Sequence, residues 1–365
     1  MQFVTPWPAA RTARELHPYS LSEYATKKTV VLTVPPSAHN PPLSFIPQRT
    51  TVKRTIALVL ASLAFAANSF AAQPLLTPQE LQARLADPQV RVIDIRDAKS
   101  YAANHIAGAA NAPYAQWRGP ATNPGELPAL PKLTTLVQSL GLTPNTHAIV
   151  VSSGADATDF GAAARVYWTL KVLGLKELSI LNGGVQAWNK AGLPQTQEAT
   201  KLAASNFQPV LDGTQIATKE EVAQRVKSGQ SVLLDARPSS FFNGDVRAPA
   251  AKVPGTLPGA VNFTHDKWFA AGSSAFVSAE QARQIAASSP IDPAKETVSF
   301  CNTGHWAATN WFAVSEVLGQ KNTRLYAGSM AEWSQDPSGL PMANLPGRFS
   351  QLMIDAKMWA DKKFN

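Results

Sequence analysis

Cysteine is almost absent: Cys301 is the only one in 365 residues. One thiol closes no internal disulfide and supplies no multi-thiolate metal site. Long apolar runs are scarce too. The most marked, residues 56–67, is shorter than the roughly twenty residues a bilayer span needs. Cys-x5-Arg does not occur, since the sixth residue after Cys301 is Ala307. That argues against a cysteine phosphatase, whose arginine clamps phosphate in a bidentate grip. A cysteine protease needs an oriented general base. His305 shares the small loop of Cys301 and is poorly placed to face its sulfur, and no local protease signature is present.

What is present starts with the charge. The net formal charge is +8, but residues 1–71 hold seven Lys/Arg against two acids, leaving a surplus of only three basic groups downstream. No stripe of Lys/Arg with aromatics forms there, so no nucleic-acid partner is predicted. Residues 52–71 read as a secretory signal peptide. Lys53 and Arg54 open it, the apolar stretch follows, and the small residues Ser69 and Ala71 precede a cleavage site after Ala71. Residues 1–51 are rich in Pro, Thr and Ser without periodicity and are predicted to be a disordered extension, with translation expected to begin near Val52. The mature product is expected to be periplasmic, without a stable membrane anchor, and monomeric.

The rest of the chain repeats itself. "RVIDIRDAKSYAANHIAGAANAPY" (91–114) parallels "SVLLDARPSSFFNGDVRAPAAKVPGTLPGAVNF" (231–263), and residues 147–188 parallel 296–333. Each copy opens on a capping-box spacing, Thr77 to Glu80 and Thr218 to Glu221. In each, a helix stops at a Leu-Gly pair, Gly174 and Gly319. Strands alternating with helices predict an α/β fold of two domains, each a mostly parallel sheet covered by helices on both faces. The expected divisions are domain 1 at 72–200, a linker at 201–213, domain 2 at 214–345, and a C-terminal tail at 346–365 packing back on the body.

Cys301 ends an apolar strand-like run in "VSFCNTGHWAATNWFAV". Ligands of parallel sheets gather at such carboxyl ends. Gly304 supplies the tight turn, and a helix is expected from near Ala307. Backbone N–H groups of such a turn, with the helix N-terminus, favour thiolate over thiol. A thiolate in an anion-binding cradle without a built-in base is suited to accept and hold a sulfur atom as a persulfide.

These features resemble the tandem-domain rhodanese-like sulfurtransferases over about residues 75–345. The resemblance rests on the two Asp-x-Arg strands, "PGAVNF", the Cys-led loop closing on Ala307, "ILNGGVQAW" and "YAGSMAEW". It implies Cys301 as the catalytic residue, a cradle of Asn302, Thr303, Gly304, His305 and Trp306, and a catalytically silent domain 1. There Asp156 stands opposite Cys301 when counted from the Leu-Gly stops, and Ser152 when counted from the strand. It further implies a small-molecule sulfur donor, thiosulfate or 3-mercaptopyruvate, a thiol acceptor (cyanide in the test tube), and no metal or organic cofactor.

The chain departs from the family where the donor binds. Thiosulfate-type members carry basic loop residues where Asn302 and Thr303 stand here. The arginine of mercaptopyruvate-type members is missing from Ser239-Ser240-Phe241. Arg247, in an insertion special to the second copy, is the candidate donor-binding cation, with Lys252 a looser counterpart. Arg237 could bind an anionic donor, but an ion pair with Asp235 or a nearby carboxylate is the stronger reading, because Arg96 repeats the pattern in the copy without a cysteine. His305 and Trp306 are expected either to shape the pocket mouth or to pack the loop. Glu332 and Trp268 are weaker pocket candidates, and Trp188 and Trp333 are expected in the core. A mercaptopyruvate sulfurtransferase and a non-enzymatic sulfane-sulfur carrier or sensor stand as alternative readings.

Overall fold

The strands are short apolar runs with little alternation, as parallel sheets covered on both faces require. The computed structural model describes residues 72–364; the expectations for residues 1–51 and 52–71 lie outside the described residues. In the first half β1 (Leu75–Leu76), β2 (Val90–Asp94), β3 (Ala110–Asn111), β4 (His147–Val151) and β5 (Leu178–Leu181) form a parallel sheet ordered β1-β5-β4-β2-β3. In the second, β6 (Val232–Asp235), β7 (Val261–Asn262), β8 (Thr297–Phe300) and β9 (Thr323–Leu325) run in the order β7-β6-β8-β9. A lone parallel bridge from Ile216 to Leu325 stands where the first half has β1.

Helices cover both sheets. They are α1 (Pro78–Gln82), α2 (Ala98–Ala103), α3 (Leu130–Ser139), α4 (Ala157–Val172) and α5 (Gly184–Lys190), then α6 (Lys219–Ser228), α7 (Ser239–Phe242), α8 (Ala279–Ala287), α9 (Trp306–Trp311), α10 (Ser329–Gln335) and α11 (Arg348–Phe364). A π-helical turn, Phe312–Val317, continues α9. Both predicted capping boxes are formed, at Thr77 with Glu80 and at Thr218 with Glu221. The segment 201–213 runs along the first half, with Gln138 donating to the Phe207 carbonyl and Asp212 N–H reaching the Val172 carbonyl.

The two halves share a core. Helix α4 is buried almost all round, which a helix between two layers must be. It packs on α9 through Phe160, Tyr167 and Phe312, with Phe160 and Phe312 centroids 5.6 Å apart. At the margin Lys171 of α4 pairs with Glu316 at 2.8 Å, and the Tyr167 hydroxyl donates to the same carboxylate at 2.9 Å. Among the described residues no helix is long and apolar enough to cross a membrane. The C-terminal tail folds as α11 and returns to the body through an Asp355–Arg247 ion pair at 2.6 Å.

Candidate functional site

Strand β8 is buried along its length and delivers Cys301 at its carboxyl end, 1% exposed. The turn is so tight that each peptide's orientation can be followed. The Cys301 and Asn302 carbonyls accept from the Met330 and Ala331 N–H groups of α10 at 3.1 and 2.9 Å. The Thr303 carbonyl accepts from Arg118 Nη2 at 2.9 Å, and the Gly304 carbonyl from Arg165 Nη1 at 3.2 Å. A trans peptide carries its N–H opposite its C=O, so the next N–H groups, of residues 302 to 305, turn away from these four partners. Gly304 N–H donates to Ser329 Oγ at 3.1 Å, as does Cys301 N–H. Those of Asn302, Thr303 and His305 meet no protein acceptor among the described residues. Three unspent donors in the loop that follows Cys301 are suited to form an anion cradle.

Ser329 is the pin of this turn. It adopts φ +53°, uncommon for a residue other than glycine, and donates its own hydroxyl proton to the Tyr326 carbonyl at 2.8 Å while accepting the two loop N–H groups. It lies within the quoted "YAGSMAEW", yet nothing in its spacing announces a partner 28 residues away.

Half of the loop's support comes from the first half of the chain. Tyr114, in a 3-10 turn after β3, faces His305 Nδ1 at 2.8 Å, and the Thr158 carbonyl at the start of α4 faces His305 Nε2 at 2.7 Å. A carbonyl only accepts, so Nε2 carries the proton and Tyr114 donates to Nδ1. The same Tyr114 oxygen accepts from Arg118 Nη1 at 3.0 Å, and Trp306 Nε1 donates to Thr158 Oγ1 at 3.2 Å. Both nitrogens of His305 are thereby occupied, which leaves it to hold the loop rather than to exchange protons. Burial, helped by the Arg118 guanidinium, depresses the His305 pKa to about 4. Its neutral form is the folded one, so stability is expected to fall as pH drops from 6.5 towards 4. His305→Gln should flatten that part of a melting-temperature profile; an unchanged slope would show that other groups set it.

The remaining sequence candidates divide. Arg237 is 2% exposed and grips Asp235 with Nε and Nη2, the latter at 2.6 Å. Its Nη1 reaches Asn302 Oδ1 at 3.3 Å, tying the ion pair to the loop; Arg96 and Asp94 repeat the pair in the first half. Trp306 stacks on His265 with centroids 4.9 Å apart and meets Phe241 edge-on. Arg247 is turned elsewhere, its guanidinium held by the Ala251 carbonyl and Asp355. Glu332 lines a separate cavity of about 230 Å³ with Tyr326 and Asn123, and burial raises its pKa. Trp268 is a core residue donating to Asn310 Oδ1, and Trp188 and Trp333 are buried as expected.

Sheet register identifies the first-half counterpart of Cys301. Asp94 pairs with Val151 as Asp235 pairs with Phe300, so the next residues, Ser152 and Cys301, correspond. Backbone bonding agrees: the Ser152 and Ser153 carbonyls accept from Val185 and Gln186. The rival count to Asp156 arises because α4 is one turn longer than α9 with its π-helical continuation.

Sequence reading missed Tyr114, Arg118, Thr158 and Arg165. Only Arg165 leaves a trace, as a lone basic residue in the apolar helix run "FGAAARVYWTL".

The rhodanese-like domain pattern matches this chain twice, at residues 77–191 and 218–336. A probable 3-mercaptopyruvate sulfurtransferase of Pseudomonas aeruginosa is 33% identical over 72% of this chain and 95% of its own length. A thiosulfate sulfurtransferase of Azotobacter vinelandii is 31% identical over 74% of this chain and 97% of its own. Among solved structures, SseA of Escherichia coli, described under the rhodanese fold of 3-mercaptopyruvate sulfotransferases, superposes with a TM-score of 0.62 at 21% identity. It covers 71% of this chain and 99% of that one.

Proposed function

This chain belongs to the rhodanese-like domain family and is a sulfurtransferase; on that footing we propose that it moves sulfane sulfur from thiosulfate to a thiol through a Cys301 persulfide. The observation that carries the proposal is the tethering of four consecutive carbonyls, residues 301–304, which leaves the amides of 302, 303 and 305 unspent in the loop that follows Cys301.

The Cys301 thiolate attacks the outer sulfur of thiosulfate; a Cys–S–S bond forms, the bond to the sulfonate sulfur breaks, and sulfite leaves with its electron pair. The persulfide anion keeps the negative charge in the cradle. A thiolate then attacks the terminal sulfur, leaves as its own persulfide, and returns Cys301 as thiolate; cyanide in the same role leaves as thiocyanate. Neither half-reaction needs a base on the protein if the acceptor arrives ionised. Each preorganised amide is worth roughly 3 kcal/mol of anion stabilisation, judged from single donors in comparable oxyanion sites.

3-Mercaptopyruvate is the second reading, favoured by the absence of basic side chains at Asn302 and Thr303. A sulfane-sulfur carrier without multiple turnover is the third. We further propose that the mature protein acts in the periplasm, from the leader pattern at residues 52–71.

Intact-mass spectrometry of the full chain after each donor, followed by steady-state kinetics with a thiol acceptor, tests these readings together. Gain of one sulfur atom from thiosulfate, lost on reduction, with repeated turnover, is the expected result. Loading from 3-mercaptopyruvate alone would move the assignment to that donor, and loading without turnover to the carrier.

A further inference from the structure

Arg165 is fully buried on α4, in the half of the chain without the cysteine. A buried guanidinium is costly unless an anion faces it. The other buried arginine of the site, Arg237, has Asp235. Among the described residues Arg165 meets no carboxylate: Nη2 donates to the Gly125 carbonyl at 2.7 Å, Nη1 to the Gly304 carbonyl at 3.2 Å, and Nε finds no partner. The Trp168 ring lies 5.0 Å from its guanidinium carbon. Half-buried Arg118 is in the same situation, spent on the Thr303 carbonyl and the Tyr114 hydroxyl and forming no ion pair among the described residues. Two cations from one half thus grip consecutive carbonyls of the cysteine loop in the other, and neither has a resident anion.

The groups whose charges reach Arg165 are few. Burial first and then Arg118 bring its pKa down to about 10, with Tyr114 and Cys301 opposing them. Burial raises the Tyr114 pKa, which keeps that phenol neutral as the donor to His305. His305 is itself neutral, Arg237 is cancelled by Asp235, and burial keeps His265 neutral beyond Trp306. Of the groups that bear on Arg165, Cys301 is the one able to carry a negative charge while Tyr114 stays neutral.

We propose that Arg165 and Arg118 are positioning residues whose counter-ion is the ionised sulfur of Cys301, first as thiolate and then as persulfide. The first half, which has Ser152 in place of a sulfur carrier, contributes the positive field and the outward carbonyl anchors that turn the loop's amides inward. This deepens the reading of Cys301 as the sulfur carrier and rests on it.

The single cysteine makes the test clean, because any alkylation reports Cys301. The pH profile of its alkylation by iodoacetamide, followed by intact mass on the full chain, is compared for the unsubstituted protein, Arg165→Gln, Arg165→Lys, Arg118→Gln and Arg118→Lys. Arg165→Gln is expected to raise the midpoint by about one pH unit or more, and Arg118→Gln by less, as loss of a nearby opposite charge does. The lysine variants, which keep the charge, should stay close to the unsubstituted protein. A merely structural role would lower yield or melting temperature without moving the midpoint. An unmoved midpoint in the glutamine variants, or equal shifts in glutamine and lysine, overturns the proposal. Should the Arg165 variants not fold, the Arg118 pair decides by the same criteria. Failure of the unsubstituted protein to gain sulfur from either donor would sink the sulfur-carrier reading instead, and the alkylation midpoints would still read the field.

Discussion

Replacing Cys301 with serine is expected to abolish sulfur transfer, by roughly 10⁴-fold or more, and to lower the melting temperature modestly, because Arg165 and Arg118 lose their counter-ion. The two side chains are close in size, and Cys301 makes its recorded hydrogen bonds through its backbone, to Ser329 Oγ and Met330 N–H. Nothing in the turn therefore depends on sulfur for its shape. What is lost is chemical: an alcohol is barely ionised in water, is a poor nucleophile towards sulfane sulfur, and yields no stable analogue of a persulfide. No other thiol is present to substitute for it. Turnover within tenfold of the parent would move the reacting group away from Cys301. Loss of the folded state itself, beyond the modest cost of an unbalanced Arg165, would mean that the sulfur is a packing residue.

How far the chain discloses this site follows from the range of each interaction. The caps at Thr77 and Thr218, the strand end at Cys301 and the α/β alternation were legible because they depend on residues a few positions apart. The cysteine loop was legible for the same reason, being a strand, a glycine turn and a helix start in succession. Its supports were not. Tyr114 meets His305 across 191 residues, and Arg118 meets Thr303 across 185; these contacts exist because the halves dock through α4 and α9. Spacing within either copy holds no record of that docking. Arg247 shows the converse: its place in an insertion beside the active copy suggested donor binding, but α11 returns and Asp355 takes its charge. Sequence symmetry likewise could not choose between Ser152 and Asp156, since the extra turn of α4 breaks the count and only sheet register restores it. The first half therefore supplies supports to the cysteine loop, with Ser152 at the position of Cys301.

Gly304→Ala is expected to cost both stability and activity, because one added methyl attacks the cradle at its most constrained point. The residue sits at φ +63°, where a side chain is strained by roughly 1–2 kcal/mol before any contact is counted. A Cβ there would collide with the Ala327 carbonyl and stand 2.7 Å from Arg165 Nη1 and 2.9 Å from Ala327 Cα. The Ala327 backbone belongs to the segment that joins β9 to α10, which also carries Ser329, so it cannot yield without disturbing the acceptor of the Cys301 and Gly304 N–H groups. The cheaper escape is for the 303–304 and 304–305 peptides to rotate. That breaks the carbonyl anchors to Arg118 and Arg165, pulls Gly304 N–H off Ser329 and turns the His305 amide out of the cradle. A total destabilisation of about 2–4 kcal/mol is expected, with kcat falling by roughly a hundredfold, the worth of one or more lost donors. Denaturant melts and single-turnover sulfur loading separate the two effects. A folded variant that loads sulfur at the parent rate would show that amide orientation does not govern the reaction, and the cradle would then lose its claim as the source of the chemistry.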